Sequence, residues 1–296
     1  MTSIGLSADV YGSFARFSAA ADFVELSALR SPRWVRQAEL ERRLDKDGIK
    51  LTSPLGPDPA DAAQSAGIVF DILNARSRIL GDQYPFEITT RDGLRRRTTI
   101  VNSYRVLLAL TIAHAYSLKC ADPKELFEGF VERALQCIGL RTTTTGTSRG
   151  RTGTGFAGVL SAACKEVGLS ATPDAAIVSS AAKDEKVDTL AHLDWMDMRP
   201  GRWTFIGQVT IAESGQWEKK ASEPKPKLWR RLLDETHEPS PFLAVPHHVE
   251  DRHLENLHQR EEAVILDRLR FARLRLKPTT AERGVVKVVH AQKVDW

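Results

Sequence analysis

The 296-residue sequence lacks most features that identify membrane, secreted or zinc-ribbon proteins. No stretch approaches the roughly 18 uninterrupted apolar residues that a membrane-spanning helix needs, and the N-terminal residues lack the basic start, apolar run and cleavage site of a signal peptide. The three cysteines, Cys120, Cys137 and Cys164, form no CxxC pair, which argues against a zinc ribbon and a disulfide framework. We therefore predict a cytoplasmic protein with no membrane partner and with cysteines that are small buried residues.

Two common catalytic motifs are also missing. The sequence has no GxxxxGK[ST] phosphate loop and no HExxH zinc motif. The polar, glycine-rich segment 142–155 is therefore predicted to be a flexible loop, and its Arg149 and Arg151 are candidate contacts to DNA phosphates. His248, His253 and His258 are spaced five residues apart, which does not align rings on one helical face and predicts a surface helix instead of a zinc site.

The overall composition is that of an ordinary folded chain. Hydrophobic residues make up 42% and charged residues 27%, which excludes the composition of a disordered protein. Lys and Arg total 42 against 38 Asp and Glu, for a formal net charge of +4. This small excess permits nucleic-acid binding without requiring it, so the placement of the positive residues matters more than their sum.

Hydrophobic periodicity divides the chain into two predicted domains. Apolar residues at spacings of three and four, with proline and glycine punctuation, predict helices over 13–29, 32–45, 59–80 and 103–118, and a hairpin is expected around Asp92. These elements define a helical N-terminal domain over residues 1–120. Further helices are predicted over 123–138 and 156–167, within a second domain over residues 121–296.

The segment 183–220 carries the most specific chemical pattern. Two strand-like runs, 187–195 and 202–212, flank a turn and predict an antiparallel hairpin in which Asp188 and Gln208 meet away from the turn. A short helix is expected to follow, with Trp217 and Lys220 three residues apart. The tryptophans of this region, Trp195, Trp203 and Trp217, are predicted to pack in the core.

This pattern resembles the PD-(D/E)xK, or restriction-endonuclease-like, superfamily of nucleases, and most closely a bacterial defence-associated branch. The matching positions are Asp184, Asp188, Asp197, Gly207, Gln208, Trp217 and Lys220. The resemblance implies an α/β protein in which a central mixed sheet flanked by helices forms a restriction-endonuclease-like core. It also implies a Mg²⁺-dependent DNA endonuclease, with Mn²⁺ as a substitute ion, that acts as an effector of antiphage defence with a helicase or ATPase partner.

The same resemblance assigns roles to individual residues. Asp188 would be the principal metal ligand, and Gln208 would be a second ligand at a position where the family more often has Glu. The usual lysine two residues further on is replaced by Thr210, so Lys220 would take over its role of orienting the attacking water. Apart from the resemblance, the placement of positive charge makes Lys219 a candidate contact to DNA phosphates. A helical glutamate commonly completes such sites; Glu128 is preferred here over Glu166.

Each of these residues also has an ordinary structural explanation. Taken singly, Asp188 is better explained as a strand terminus, Gln208 as a hydrogen-bonded core amide and Lys220 as a solvated helix charge. It is their combination that favours the nuclease-type site. The replacements at Gln208 and Thr210 favour a second possibility, a noncatalytic nucleic-acid- or partner-binding subunit with a degenerate nuclease fold. Self-association into a homo-oligomer is left open.

Overall fold

The protein is a mixed α/β structure built around a five-stranded sheet with helices on both faces. The computed structural model describes residues 3–7, 9–89, 93–145, 155–176, 186–197, 199 and 201–296. Within these residues, no helix combines the length and apolar character needed to cross a membrane.

The N-terminal part is mainly helical, as predicted. Its elements are β1 (Ser3–Gly5), α1 (Arg16–Arg30), β2 (Val35–Arg36), α2 (Gln37–Asp47), α3 (Ala62–Leu80), β3 (Phe86–Thr89), β4 (Gly93–Arg96) and α4 (Ser103–Ala115). Side-chain caps fix two helix starts: Asp61 accepts a hydrogen bond from Gln64 N at 2.8 Å, and Asn102 accepts one from Arg105 N at 3.1 Å.

One predicted helix boundary in this part is wrong. The helix expected from residue 32 begins at Gln37, because Val35 and Arg36 form β2 and pair with β4. The Arg36 amide then donates to Glu39 Oε2 at 3.0 Å, which satisfies a free donor at the new helix start. The predicted hairpin is confirmed as the antiparallel pair β3 and β4.

The remaining elements alternate between strands and helices. They are α5 (Pro123–Cys137), β5 (Leu140–Thr144), α6 (Gly155–Val167), β6 (Thr189–Leu193), β7 (Thr204–Val209), α7 (Trp217–Ser222), α8 (Pro226–Leu232), β8 (Ser240–Ala244), α9 (Asp251–Glu261), β9 (Val264–Leu266), α10 (Arg268–Arg273), α11 (Thr280–Ala291) and β10 (Lys293–Asp295). The loop predicted from residue 142 is wrong at its start, because Thr142, Thr143 and Thr144 belong to β5. Threonine is β-branched and suits a half-buried strand.

The central sheet has the strand order β5-β6-β7-β8-β9. The pairs β5–β6 and β6–β7 are antiparallel, and the pairs β7–β8 and β8–β9 are parallel. The predicted hairpin of β6 and β7 is therefore confirmed, with Thr189 opposite Gly207 and Leu190 opposite Ile206. Because β7 pairs in parallel with β8, their connection passes through α7 and α8.

The two faces of this sheet pack differently. One face lies on the largest apolar core, to which Ala191, Val209 and Phe242 contribute. The other face carries two separate apolar clusters, one containing Leu190 and Ile206 and one containing Leu243. Side chains alternate between faces along a strand, so Gln208 shares the face of Ile206 and lies beside Leu243 in the register, between the two clusters.

Buried charges connect the N-terminal helices to α10. Asp22 accepts from both guanidinium nitrogens of Arg268, each at 2.7 Å, and from Arg76 Nη1 at 2.8 Å. Tyr84 and Tyr104 both donate to Glu25 Oε1 at 2.6 Å. The largest apolar core also extends across residue 120, so the two parts share one interior, and the domain boundary at that residue stays a prediction.

Candidate active site

Asp188 and Gln208 lie opposite each other at one end of the hairpin. The pairing of Thr189 with Gly207, continued by one residue, places Asp188 beside Gln208. The Asp188 amide donates to Gly207 O at 2.8 Å, and its carboxylate Oδ2 accepts from Val209 N at 2.9 Å. These bonds to β7 fix the Asp188 side chain where the two strands diverge.

The Gln208 side chain has a defined amide orientation. Its Nε2 donates to the Lys186 backbone carbonyl, and its Oε1 accepts from Lys220 Nζ at 3.3 Å. Only 3% of Gln208 is exposed, so these two bonds satisfy a buried polar group that would otherwise destabilise the fold. The arrangement directs the amide oxygen toward Lys220 and the amide nitrogen away from it.

A second carboxylate, Glu223, lies next to Lys220. Lys220 Nζ donates to Glu223 Oε2 at 2.9 Å, and Lys186 Nζ lies 4.0 Å from the other carboxylate oxygen. The Glu223 side chain is 11% exposed. Our sequence interpretation missed this residue, although a glutamate three residues after Lys220, on the same helical side, was the available signal.

These side chains line one pocket of about 370 Å³. Its charged lining residues are Lys124, Lys186, Lys220, Asp188 and Glu223. Partial desolvation lowers the pKa of His114, which also lines the pocket, so this imidazole is neutral at pH 7. The described lining therefore carries three positive and two negative charges, an excess that favours an anionic ligand.

Trp217 anchors the helix that presents Lys220. Its indole is fully buried, donates from Nε1 to Ala212 O at 2.9 Å and stacks on the His253 ring with centroids 5.3 Å apart. The core prediction is confirmed for Trp217. It is wrong for Trp195 and Trp203, which are 58% and 61% exposed. These two flank the hairpin turn, beyond the last strand pair of His192 with Thr204.

The two candidate helical glutamates lie outside the described lining of the pocket. Glu128, on α5, is 3.9 Å from Lys124 Nζ, and Lys124 itself lines the pocket. Glu166, on α6, accepts a hydrogen bond from Thr143 Oγ1 at 2.9 Å. Glu128 is thus one helical turn from the pocket, whereas Glu166 is bonded to the edge strand β5.

The other predicted site residues are dispersed. Asp197 lies in the hairpin turn, at the opposite end of β6 from Asp188, and its Oδ1 accepts from Arg199 N. Lys219 is exposed on α7 and has no ion pair within the described residues. Arg149, Arg151 and Asp184 lie outside the described residues. Of the predicted set, the structure brings together Asp188, Gln208 and Lys220.

The histidines of the 247–258 region are mostly buried. His247 and His253 are 3% exposed, and burial lowers their pKa values to about 3 and about 4. His258 lies on α9, as predicted, and interacts with Ala263 O. Across the described part of the chain, no group of three His, Cys, Asp or Glu side chains is arranged to hold a metal ion.

The cysteines are not equivalent. Cys164 is buried, as predicted, and burial raises the pKa of its thiol to about 12. Cys120 is half-buried and Cys137 is exposed, so the prediction is wrong for these two.

Comparisons with known proteins return no match to this chain among family models, curated proteins or solved structures.

Proposed function

We propose that this protein is a metal-dependent nuclease that hydrolyses phosphodiester bonds in DNA. The observation that carries the proposal is the pocket in which Asp188, Gln208 and Lys220 converge, with Lys220 Nζ 3.3 Å from Gln208 Oε1. The residues come from two adjacent strands and the next helix, in the chain order of the motif they resemble. A central mixed sheet flanked by helices is also what that resemblance implies.

The oxygen atoms of the pocket suit a hard cation. Asp188 and Glu223 supply carboxylates, and Gln208 supplies an amide oxygen. Mg²⁺ binds through one or two carboxylates and keeps several waters, so it does not require a cluster of three acidic side chains. These residues would hold Mg²⁺ or Mn²⁺, which would neutralise charge on the phosphate and lower the pKa of a bound water.

The protein side chains have separate tasks in this proposal. Lys220 donates hydrogen bonds and stabilises the negative charge that develops on the phosphoryl oxygens. Gln208 holds Lys220 in place through its Oε1, and Glu223 holds it from the other side. Gln208 carries no charge, so Glu223 supplies the second negative charge that the site otherwise lacks.

The proposed substrate and biological setting rest on charge placement and on the motif resemblance. The positive excess of the pocket and the exposed Lys219 beside it suit a polyanion. Arg149 and Arg151 are proposed to add phosphate contacts. The preference for DNA, the role as an antiphage effector and the helicase or ATPase partner rest on the resemblance of residues 183–220 to the defence-associated nucleases.

A plasmid assay tests the activity directly. Purified protein with Mg²⁺ or Mn²⁺ is expected to nick or cut supercoiled plasmid, and Asp188→Ala is expected to abolish cutting because it removes the fixed carboxylate. Asp197→Ala is the matched control: it removes another aspartate, at the opposite end of β6, and is expected to retain activity. Cutting by Asp188→Ala at the wild-type rate would assign the activity to another site.

The second candidate function is a noncatalytic subunit that binds nucleic acid or a partner protein. Two observations favour it: Gln208 takes the place of a charged ligand, and both Glu223 oxygens already face lysines. Titration calorimetry with Mn²⁺ separates the candidates. A nuclease binds the ion through Asp188 and loses binding in Asp188→Ala, whereas absence of binding by the intact protein together with retained binding of double-stranded DNA supports the subunit.

A further inference from the structure

A second cavity, of about 440 Å³, lies away from the candidate active site. Its volume is within the roughly 300–1,000 Å³ typical of small-molecule sites. Its walls come from the residues around the start of α1, the 53–57 segment, α3 and residues 248–253. The apolar part consists of Phe14, Phe17, Leu55, Pro57, Ile68, Ile72 and Ala75. An apolar cavity with a few polar groups is the usual form of an organic ligand site.

Glu250 is the main polar group of this cavity. Burial raises the pKa of its carboxyl above the ordinary value. Its carboxylate accepts hydrogen bonds from Ser18, whose Oγ lies 3.3 Å from Oε1, and no ion pair within the described residues includes it. The Arg76 guanidinium attracts the carboxylate from a distance but bonds directly to Asp22, Tyr104 and His248. A partly desolvated carboxylate that makes no direct ion pair is stabilised when a cationic ligand pairs with it.

His248 supplies a second, independent polar group. Its side chain lines the cavity, and the residue is 5% exposed. Burial and the adjacent arginines hold its pKa well below the ordinary value, so the ring is neutral. Because Arg76 Nε donates to its Nδ1 at 3.1 Å, the ring proton must be on Nε2. No acceptor for this N–H is found in the described part of the chain.

The charges of the lining favour a cation over an anion. Asp71, Glu250 and Asp251 contribute three carboxylates. Arg252 is the one arginine or lysine in the described lining, and its Nη1 donates to the Leu55 carbonyl. The cavity is therefore net negative, with its cation turned to the backbone of the 53–57 segment.

We propose that this cavity binds a small organic cation, an ammonium or amidinium group on an apolar body that carries one hydrogen-bond acceptor. The cation pairs with Glu250, the body packs between Phe14 and Ile72, and the acceptor accepts a hydrogen bond from His248 Nε2. The site shares no residue with the candidate active site, so this proposal stands independently of the nuclease activity.

Three probes of similar shape test the proposal: 4-methoxybenzamidine, 4-methoxybenzamide and 4-methoxybenzoate, whose head groups are positive, neutral and negative. Titration calorimetry on the full chain is expected to give the amidine an affinity at least about tenfold above that of the amide, with the benzoate weakest. Glu250→Gln is expected to bring the amidine within about threefold of the amide and to leave the amide unchanged. Glu250→Ala, which removes the same carboxylate, serves as the second variant if Glu250→Gln does not fold.

Two leucine variants, one inside the cavity and one outside it, test whether the probes bind there. Ala75 lines the cavity, whereas its neighbour Asn74 is exposed and does not line it. Ala75→Leu is expected to weaken the amidine and the amide together, and Asn74→Leu to change neither. The proposal is overturned if the benzoate binds as tightly as the amidine, or if the Glu250 variants keep the preference for the amidine over the amide. It is also overturned if no probe binds with a Kd below about 10 mM.

Discussion

At the residue scale, two adjacent lysines on α7 have opposite environments. Lys220 lines the pocket and donates to Gln208 and Glu223, whereas Lys219 is exposed and has no ion pair within the described residues. Successive residues on a helix point about 100° apart, so a single turn presents one lysine to the pocket and the other to solvent. Because both residues are lysines on the same helix turn, a comparison of their alanine variants tests the effect of side-chain position alone.

If the protein is the nuclease that we propose, we expect Lys220→Ala to lower kcat for plasmid cleavage by about 10²- to 10³-fold, because in that proposal Lys220 stabilises the developing charge. Lys219→Ala is expected to change kcat less than about threefold and to weaken DNA binding slightly, as for one exposed phosphate contact. Single-turnover cleavage and fluorescence anisotropy separate the two effects. Equal loss of kcat in both variants would contradict the assignment of Lys220.

At the element scale, the motif residue Gly207 is required by strand packing. A Cβ built on Gly207 would lie 2.2 Å from Phe242 Cζ, so the Phe242 ring of β8 lies directly against the β7 backbone. Gly129, on α5, has no atom within 4 Å of an added Cβ. The first glycine is therefore constrained by a neighbouring side chain, and the second is not.

The two Gly→Ala variants should consequently change stability in opposite directions. We expect Gly207→Ala to destabilise the fold by about 1–3 kcal/mol through overpacking. Gly129→Ala is expected to stabilise by about 0.5–1 kcal/mol, because alanine in a helix loses less backbone entropy on folding. Urea unfolding measures both. Recovery of stability in Gly207→Ala, Phe242→Leu would identify the ring as the cause, and no recovery would contradict it.

At the scale of the whole molecule, buried titratable groups link the N-terminal helices to α10. Asp22 pairs with Arg268 across 246 positions of sequence, and although burial opposes its ionisation, Arg268 and Arg76 lower its pKa to about 2. Burial also lowers the pKa of His247 to about 3 and that of His253 to about 4. The folded protein thus keeps the carboxylate charged and these imidazoles neutral.

These shifts predict loss of stability on acidification. Between pH 6.5 and about 4 the unfolded chain binds protons on histidines that the folded protein leaves neutral, so the free energy of unfolding falls as the pH falls, by up to about 1.4 kcal/mol per pH unit for each histidine. Asp22 adds a further loss only below its ordinary value of 3.8. Urea midpoints at pH 7, 6 and 5 measure this slope.

His253→Phe is the control for this pH dependence. Phenylalanine keeps a flat ring between Phe14 and Trp217 but cannot bind a proton. Its unfolding free energy should depend less steeply on pH, by about one proton, between pH 6 and 5. An unchanged slope would show that the His253 ring is protonated to the same extent in the folded and unfolded chain.

The sequence by itself determined the mixed α/β class, most helices, the β6–β7 hairpin and the meeting of Asp188 with Gln208. Helix periodicity, caps and turn residues act over a few positions, and an antiparallel hairpin fixes which residues face each other. The short strands β2 and β5 were not predicted, because they are stabilised by partner strands that are distant in the sequence. Only the tertiary structure decided that Glu223 joins the pocket, that Glu128 and Glu166 lie outside it, and that Asp22 pairs with Arg268. Those contacts depend on how whole elements pack, and no local pattern encodes that packing.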